Sequence, residues 1–297
     1  MDLVDGLKAF VATAQTGSFT AAAERLGVSN RLTSKYVAEL EGRIGARLLQ
    51  RTTRKVGLTP AGQELLSRAP ALLEELDDMI DLISDQSQGL SGLLRVSAPV
   101  TFGEIYIKDL LGRFAELHPG LSIDLHMNDA VVDLATGGFD LAFRIGTSDV
   151  SSLKVRKLGV SRSSLVASPD YLERHAAPRT PEELHEHVCI VDTNRREAQW
   201  VFIQGDEEIP FTPPRRYMVN SALVARDWAK QGLGITLCPD FALQNDLKEG
   251  RLVPLLENYA KLEHLFSVVY LEGNILPRKV RALIDFALED VRSFSQG

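Results

Sequence analysis

Leu3, Leu7, Phe10, Val11 and Ala14 recur at helical spacing and predict a first amphipathic helix that stops at Gly17. Ser18 or Thr20 caps a second, short, Ala-rich helix over 21–26, and Gly27 stands where a left-handed C-terminal residue is wanted. Ser29 is an N-cap for a third helix running to about Glu41. Thr33, Val37, Leu40 and Ile44 form its inward stripe, with Asn30, Arg31, Ser34 and Lys35 on the other side. A helix, a tight Gly-containing turn and a helix with a small-polar, basic outer face make a helix-turn-helix pattern.

Residues 48–51 and 55–58 are short and strand-like around the tip Thr52-Thr53-Arg54, a basic wing. Thr59 then offers an N-cap and Pro60 a first helical position. The helix predicted over 60–86 carries Leu65, Ala69, Leu72, Leu76, Met79 and Ile83 at alternating steps of four and three, a modest coiled-coil seam. Its place between two domains favours a dimerising helix over one packed on its own domain, and Pro70 predicts a kink in it. The polar, Gly/Ser-rich run 84–92 is the clearest boundary.

From Leu93 strands (93–98, 121–127, 140–144, 155–158, 165–167, 234–237, 265–270) alternate with helices (104–117, 131–136, 169–175, 221–231, 241–247, 277–294). This pattern predicts an α/β domain with a mostly parallel sheet. The organisation read is a winged helix-turn-helix at 1–59, a linker helix at 60–89 and an α/β domain at 90–297.

Composition sharpens the functional reading. At 297 residues, 44% hydrophobic and 25% charged, the chain is long enough for two or three packed domains. Cys189 and Cys238 alone make neither a disulfide framework nor a four-Cys zinc site and suit a reducing compartment. The start MDLVDGLKAF is no signal peptide, and no apolar run is long enough for a bilayer, so a cytoplasmic protein without a membrane partner is expected. Net charge is −7, but residues 1–60 carry +4 and the remainder −11. A basic module on an acidic body reads as a polyanion binder joined to something else.

On a winged helix, Ser29 and the N–H groups behind it suit a phosphate, Asn30 an adenine edge, and Arg31 or Lys35 a guanine or phosphate. Ser34 shares that face; Arg51, Thr53, Arg54 and Lys55 on the wing suit phosphates or the minor groove. Tyr36 divides between core edge and phosphate contact. Hydrolase, zincin, dinucleotide and Walker motifs are absent, which argues against an enzyme and against a cofactor. His185-Glu-His187 sets two imidazoles at i, i+2 with no third ligand nearby, so no metal site is expected.

Gly-Ser-Phe-Thr-Ala-Ala-Ala-Glu-Arg-Leu-Gly-Val-Ser (17–29), Leu40-Glu41, Arg51-Thr-Thr-Arg and Leu58-Thr-Pro-Ala-Gly62 resemble the signature of LysR-type transcriptional regulators, in the branch with a Leu-Leu-x-Arg-Thr-Thr-Arg wing. Residues 138–146, 168–172 and 232–239 resemble that family's effector-binding domain, similar to type 2 periplasmic binding proteins. Asn30 stands where Gln is common in the family, and Leu49 where Phe is. The resemblance implies two lobes (90–163 with 267–297, and 164–266) linked by crossovers near 162–165 and 264–267. It implies a homotetramer built as a dimer of dimers, a double-stranded operator and a small-molecule inducer held between the lobes; RNA polymerase is a further expected partner.

In such a domain, ligands sit beyond the carboxyl ends of strands. Pro99, Val100 and Thr101 follow the first strand, Asn128 the second, and Arg144 and Gly146 close the third. Asn220 and Ser221 open a helix in the other lobe. These groups suit a carboxylate, while Asp129, Asn220 and Ser221 can equally be helix caps. The alternative function is a ligand-independent DNA-binding repressor.

Overall fold

The computed structural model describes residues 2–51, 56–83, 89–130, 132–146, 153–194, 199–205, 207–261, 263–271 and 276–294. Helices α1 (Leu3–Thr16), α2 (Phe19–Leu26) and α3 (Asn30–Ile44) pack around Phe10, Val37 and Leu40. α2 starts two residues earlier than the pattern suggests, because Ser18 is its N-cap and accepts from the Ala21 N–H at 3.4 Å. On α3 the inward stripe holds for Thr33, Val37 and Leu40, but Ile44 is 46% exposed. The helix runs past the edge of its domain there, and the buried position in its last turns is Glu41.

Strands β1 (Leu49–Arg51) and β2 (Val56–Leu58) pair antiparallel as the base of the wing. α4 (Pro60–Ile83) follows. Thr59 caps it by accepting from the Gly62 N–H at 3.0 Å, while its hydroxyl donates to the Arg47 carbonyl at 2.7 Å. Gly62 is required: a Cβ there would lie 2.0 Å from the Leu48 carbonyl oxygen. α4 divides its apolar residues. Leu66, Ala69 and Leu73 are buried against the winged helix, whereas Leu72, Met79 and Ile80 are exposed. Ala69 of the sequence-read seam thus belongs to its own domain's core, and Leu72 and Met79 lie outside it. The helix runs through Pro70.

The α/β part has two mixed sheets. The first opens with β3 (Ser91–Ala98), then α5 (Val100–Phe102), a π-helical turn at Gly103–Ile107 and α6 (Lys108–Leu117). β4 (Gly120–Met127), α7 (Leu134–Gly137), β5 (Leu141–Ile145) and β6 (Leu153–Ser161) complete this stretch. The chain then crosses at Arg162 into β7 (Ser163–Ala167) and α8 (Pro169–Arg174). Next come β8 (Cys189–Asp192), β9 (Trp200–Gln204), β10 (Glu207–Phe211), β11 (Tyr217–Val219), α9 (Ala222–Lys230) and β12 (Ile235–Pro239). α10 (Gln244–Lys248), β13 (Val253–Leu255) and β14 (Ala260–Lys261) end the second lobe. β15 (His264–Leu271) and α11 (Arg278–Phe294) return to the first.

Strand order is β4-β3-β5-β15-β6 in the first lobe and β11-β8-β12-β7-β13 in the second, with a small sheet β10-β9-β14 beside it. The expectation of a mostly parallel sheet needs correction. β3 runs parallel to β4 and β5, and β8 to β11 and β12, but β15 is antiparallel to β5 and β6, and β7 to β12 and β13. The antiparallel members are those entering from a crossover or added at the lobe's edge, where no right-handed helical connection dictates direction.

Two further expectations shift. The helix read at 104–117 begins at Val100, with the π turn inserted; a Cβ at Gly103 would meet Met127 Sδ at 2.7 Å, so glycine admits that side chain. The short helix read at 131–136 is Leu134–Gly137, placed by Asp133, whose carboxylate accepts from Ala135 and Thr136 N–H. Each lobe has its own apolar core, and Phe241 and Ile105 pack across the junction. Phe241 meets Phe102 edge-on at 5.1 Å, and Phe102 meets Phe266 at 4.3 Å.

Candidate nucleic-acid interface and effector cleft

The N-terminal turn of α3 is presented to solvent. Ser29, Asn30, Arg31 and Lys35 are exposed and Ser34 is half-buried. Ser29 Oγ accepts from the Leu32 N–H at 3.2 Å. Asn30 Nδ2 donates to Thr20 Oγ1 at 3.0 Å, so a bidentate grip on adenine requires that bond to be exchanged. Lys35 lies 3.8 Å from Glu39, a loose pair on an open surface. Tyr36 leans on the domain core. Arg51 ends β1; Thr53, Arg54 and Lys55 lie outside the described residues.

Glu41 carries the local architecture. Its Oε1 accepts from the Leu48 and Leu49 N–H groups at 2.8 and 3.1 Å, and Oε2 from Arg47 at 3.1 Å. The buried carboxylate thereby ties α3 to the first wing strand and fixes one relative to the other.

In the α/β part, residues from both lobes meet at the carboxyl end of β3. Thr101 is only 9% exposed, with Pro99 and Val100 half-buried beside it. Arg144 Nη2 donates to Ser97 Oγ at 3.3 Å and Nη1 to the Phe143 carbonyl at 2.9 Å. Burial pushes its guanidinium pKa down, opposed by the Asp129 carboxylate. Asn128 Oδ1 accepts from the Ala130 N–H at 2.9 Å, a local turn contact. Gly146 (φ +99) donates its N–H to Leu265 O at 2.8 Å. Ser221 caps α9 by accepting from Val224 N–H at 3.4 Å.

Two residues bind the mouth together: Asp129, which the sequence places beside Asn128 after the second strand, and Asn194, which it leaves unassigned. Asp129 Oδ1 accepts from the Val100 N–H at 3.0 Å, and Oδ2 from Asn194 Nδ2 at 2.8 Å. Asn194 also donates to Asn220 O at 2.7 Å, so the bridge runs from one lobe to the other. The sequence allows Asp129 as a cap, but the helix it caps lies 29 residues upstream, not downstream. Asn194 carries no signal of its own. The arrangement offers one guanidinium, amide and hydroxyl groups, and one carboxylate, suited to a small polar anion. Among the described residues no group of three or more His, Cys, Asp or Glu could hold a metal ion. No helix among them is long and apolar enough to cross a membrane.

Residues 4–63 match the bacterial regulatory helix-turn-helix protein, lysR family, and residues 87–292 match the LysR substrate binding domain. The chain belongs to the LysR family of DNA-binding transcriptional regulators, as its N-terminal motifs suggest. It is 35% identical over 284 residues to an HTH-type transcriptional regulator of Haemophilus influenzae, covering 95% of this chain and 99% of the relative. It is 31% identical to the regulator CrgA of Neisseria meningitidis, covering 96% of each. The full-length structure of the Vibrio cholerae virulence activator AphB superposes with TM-score 0.63 at 32% identity, covering 97% of this chain and 99% of that one.

Proposed function

We propose that this chain is a cytoplasmic, sequence-specific DNA-binding regulator, switched by a small carboxylate inducer held between its two lobes. The observation that carries the reading is the exposed, capped N-terminal turn of α3, where Asn30, Arg31 and Lys35 stand together on a winged helix. That turn enters the major groove, base edges being read by Asn30 and Arg31 and phosphates held by Ser29, Ser34, Lys35 and the wing residues Arg51, Thr53, Arg54 and Lys55. Arg144 is the inducer's charge partner, with Thr101, Asn128, Asn220 and Ser221 lining its approach. The exposed Leu72, Met79 and Ile80 on α4 support a dimer helix, and two such dimers make the assembly that meets RNA polymerase at the promoter. The chain catalyses no reaction.

The test is binding to the intergenic DNA beside the protein's own gene. The full chain is expected to protect a partly palindromic site. A fragment of residues 89–297 is expected to bind none, and retained specific binding by that fragment overturns the assignment. A footprint indifferent to every small carboxylate supplied favours the ligand-independent repressor instead.

A further inference from the structure

The winged helix does not hang free of the α/β part. α1 and α4 both pack on α7, and a set of charges collects at that junction. Lys279, near the start of α11, makes an ion pair with Glu74 of the linker helix and donates to the Leu93 carbonyl on β3. The Lys279 side chain is only 11% exposed and Glu74 only 20%, whereas the other described pair between α4 and the rest of the chain's helices, Lys8–Asp77, is 41% and 56% exposed. Two residues along β3, the Arg95 N–H donates to Asp140 Oδ2 at 2.7 Å. Arg95 Nε lies 3.2 Å from Asp124 Oδ2, in a geometry too poor for a hydrogen bond. From the winged helix, Arg25 Nη1 donates to Gln15 Oε1 at 2.8 Å, and Gln15 lies against Gly138, where an added Cβ would come within 3.1 Å of its Cδ.

Burial pushes the Asp140 carboxyl pKa up, and Lys279, Arg95 and Arg25 each oppose it, so one carboxylate feels cations from three elements. Arg25 in turn feels Arg95 and Asp140 across the domain boundary.

We infer that Glu74–Lys279, backed by Asp140 and Arg95, is a lock that docks the DNA-binding module and its linker helix on the first lobe. β3 makes the lock more than a local brace. Leu93, Arg95 and Ser97 are alternate residues of one strand, the first two engaged through backbone groups and the third through its side chain. The first contacts Lys279, the second Asp140, and the third accepts from Arg144 at the cleft. A shift of β3 at the cleft therefore moves the carbonyl and amide that hold the lock. The docking rests on the junction alone; only the link to the cleft uses the effector reading.

The test needs neither DNA nor inducer. Hydrogen exchange is compared for the full chain, Lys279→Met, Glu74→Gln, and the exchanged pair Glu74→Lys with Lys279→Glu. Each single change strands a poorly solvated charge, while the exchange restores opposite signs. The single variants are expected to speed exchange about tenfold in segments 12–27 and 134–140, with the β3 and β5 core unaffected. The exchanged pair is expected to recover only part of the protection, because a carboxylate at position 279 meets its partner at 74 but loses the donor to the Leu93 carbonyl and faces Asp140. Unchanged exchange at 12–27 in both single variants overturns the lock. So does a general loss of protection across the first lobe, which would make Lys279 part of that lobe's own fold.

Discussion

Arg162 and Glu263 stand at the two places where the chain passes between lobes, and Arg162 Nε donates to Glu263 Oε1 at 2.8 Å. The pair clasps both crossings side by side. Its side chains are 59% and 50% exposed, so solvent screens it heavily. A double-mutant cycle of Arg162→Ala and Glu263→Ala on thermal unfolding should give a coupling of about 0.2–1 kcal/mol. A coupling of several kcal/mol would show that the crossings are far less solvated than this.

Glu41 is the opposite case, a buried carboxylate with three donors. Glu41→Ala leaves the Leu48 and Leu49 N–H groups without an acceptor and should cost about 1–3 kcal/mol. Glu41→Gln keeps one acceptor oxygen and should recover part of the loss. Urea unfolding gives the energies, and exchange of the Leu48 and Leu49 amides locates them. Amides that stay equally protected in Glu41→Ala would refute the account.

Base reading and phosphate holding should separate by mutation. Asn30→Ala is expected to weaken the true operator by about 1–3 kcal/mol and random DNA hardly at all. Arg54→Ala is expected to weaken both alike and to lower the salt slope by about 1. Binding isotherms over a salt series, on specific and random duplexes, make the comparison; identical behaviour of the two variants would abolish the division of roles.

Leu72 and Met79 contribute nothing to this chain's own core, being 52% exposed each. Leu72→Asp with Met79→Asp should leave the subunit folded and shift sedimentation to smaller species. An unchanged sedimentation coefficient would move self-association away from α4.

Burial pushes the Cys189 thiol up to about 12, so almost no thiolate exists at pH 8. The residue is fully enclosed. Native protein treated with iodoacetamide at pH 8 should carry no adduct at Cys189 by mass spectrometry, whereas urea-unfolded protein should react. An adduct on the folded chain would contradict its burial.

The winged helix was legible because its signals are local: caps at Ser18, Ser29 and Thr59, glycines at 17 and 27, and a stripe that repeats within one helix. Ile44 misleads because periodicity knows a helix's face but not where its domain ends. Strand β8 is missed because Cys189–Asp192 is buried along its whole length and too short to show alternation, and β10 because Glu207-Glu-Ile-Pro carries a proline and two charges that read as a loop. Asp129 and Asn194 are 65 residues apart and meet only through the fold, as do Glu74 and Lys279. The π turn leaves no pattern at all; Gly103 is its sole trace.

β15 lies between β5 and β6, although those two strands follow one another in sequence. Among the described residues, every pairing that holds β6 comes from β15. During synthesis, therefore, the second lobe's residues 163–261 emerge whole before the first lobe can close its sheet, and the first lobe waits with an open edge for 264–271. A chain halted at residue 262 should yield, on limited proteolysis, a resistant fragment from the second lobe and none from the first. The ribosome thus hands out the module that reads DNA first, four strands of the first lobe and the inserted lobe next, and the strand and helix that close the first lobe last, so that a chain missing its final helix and strand is left with a reader whose anchoring wall was never finished.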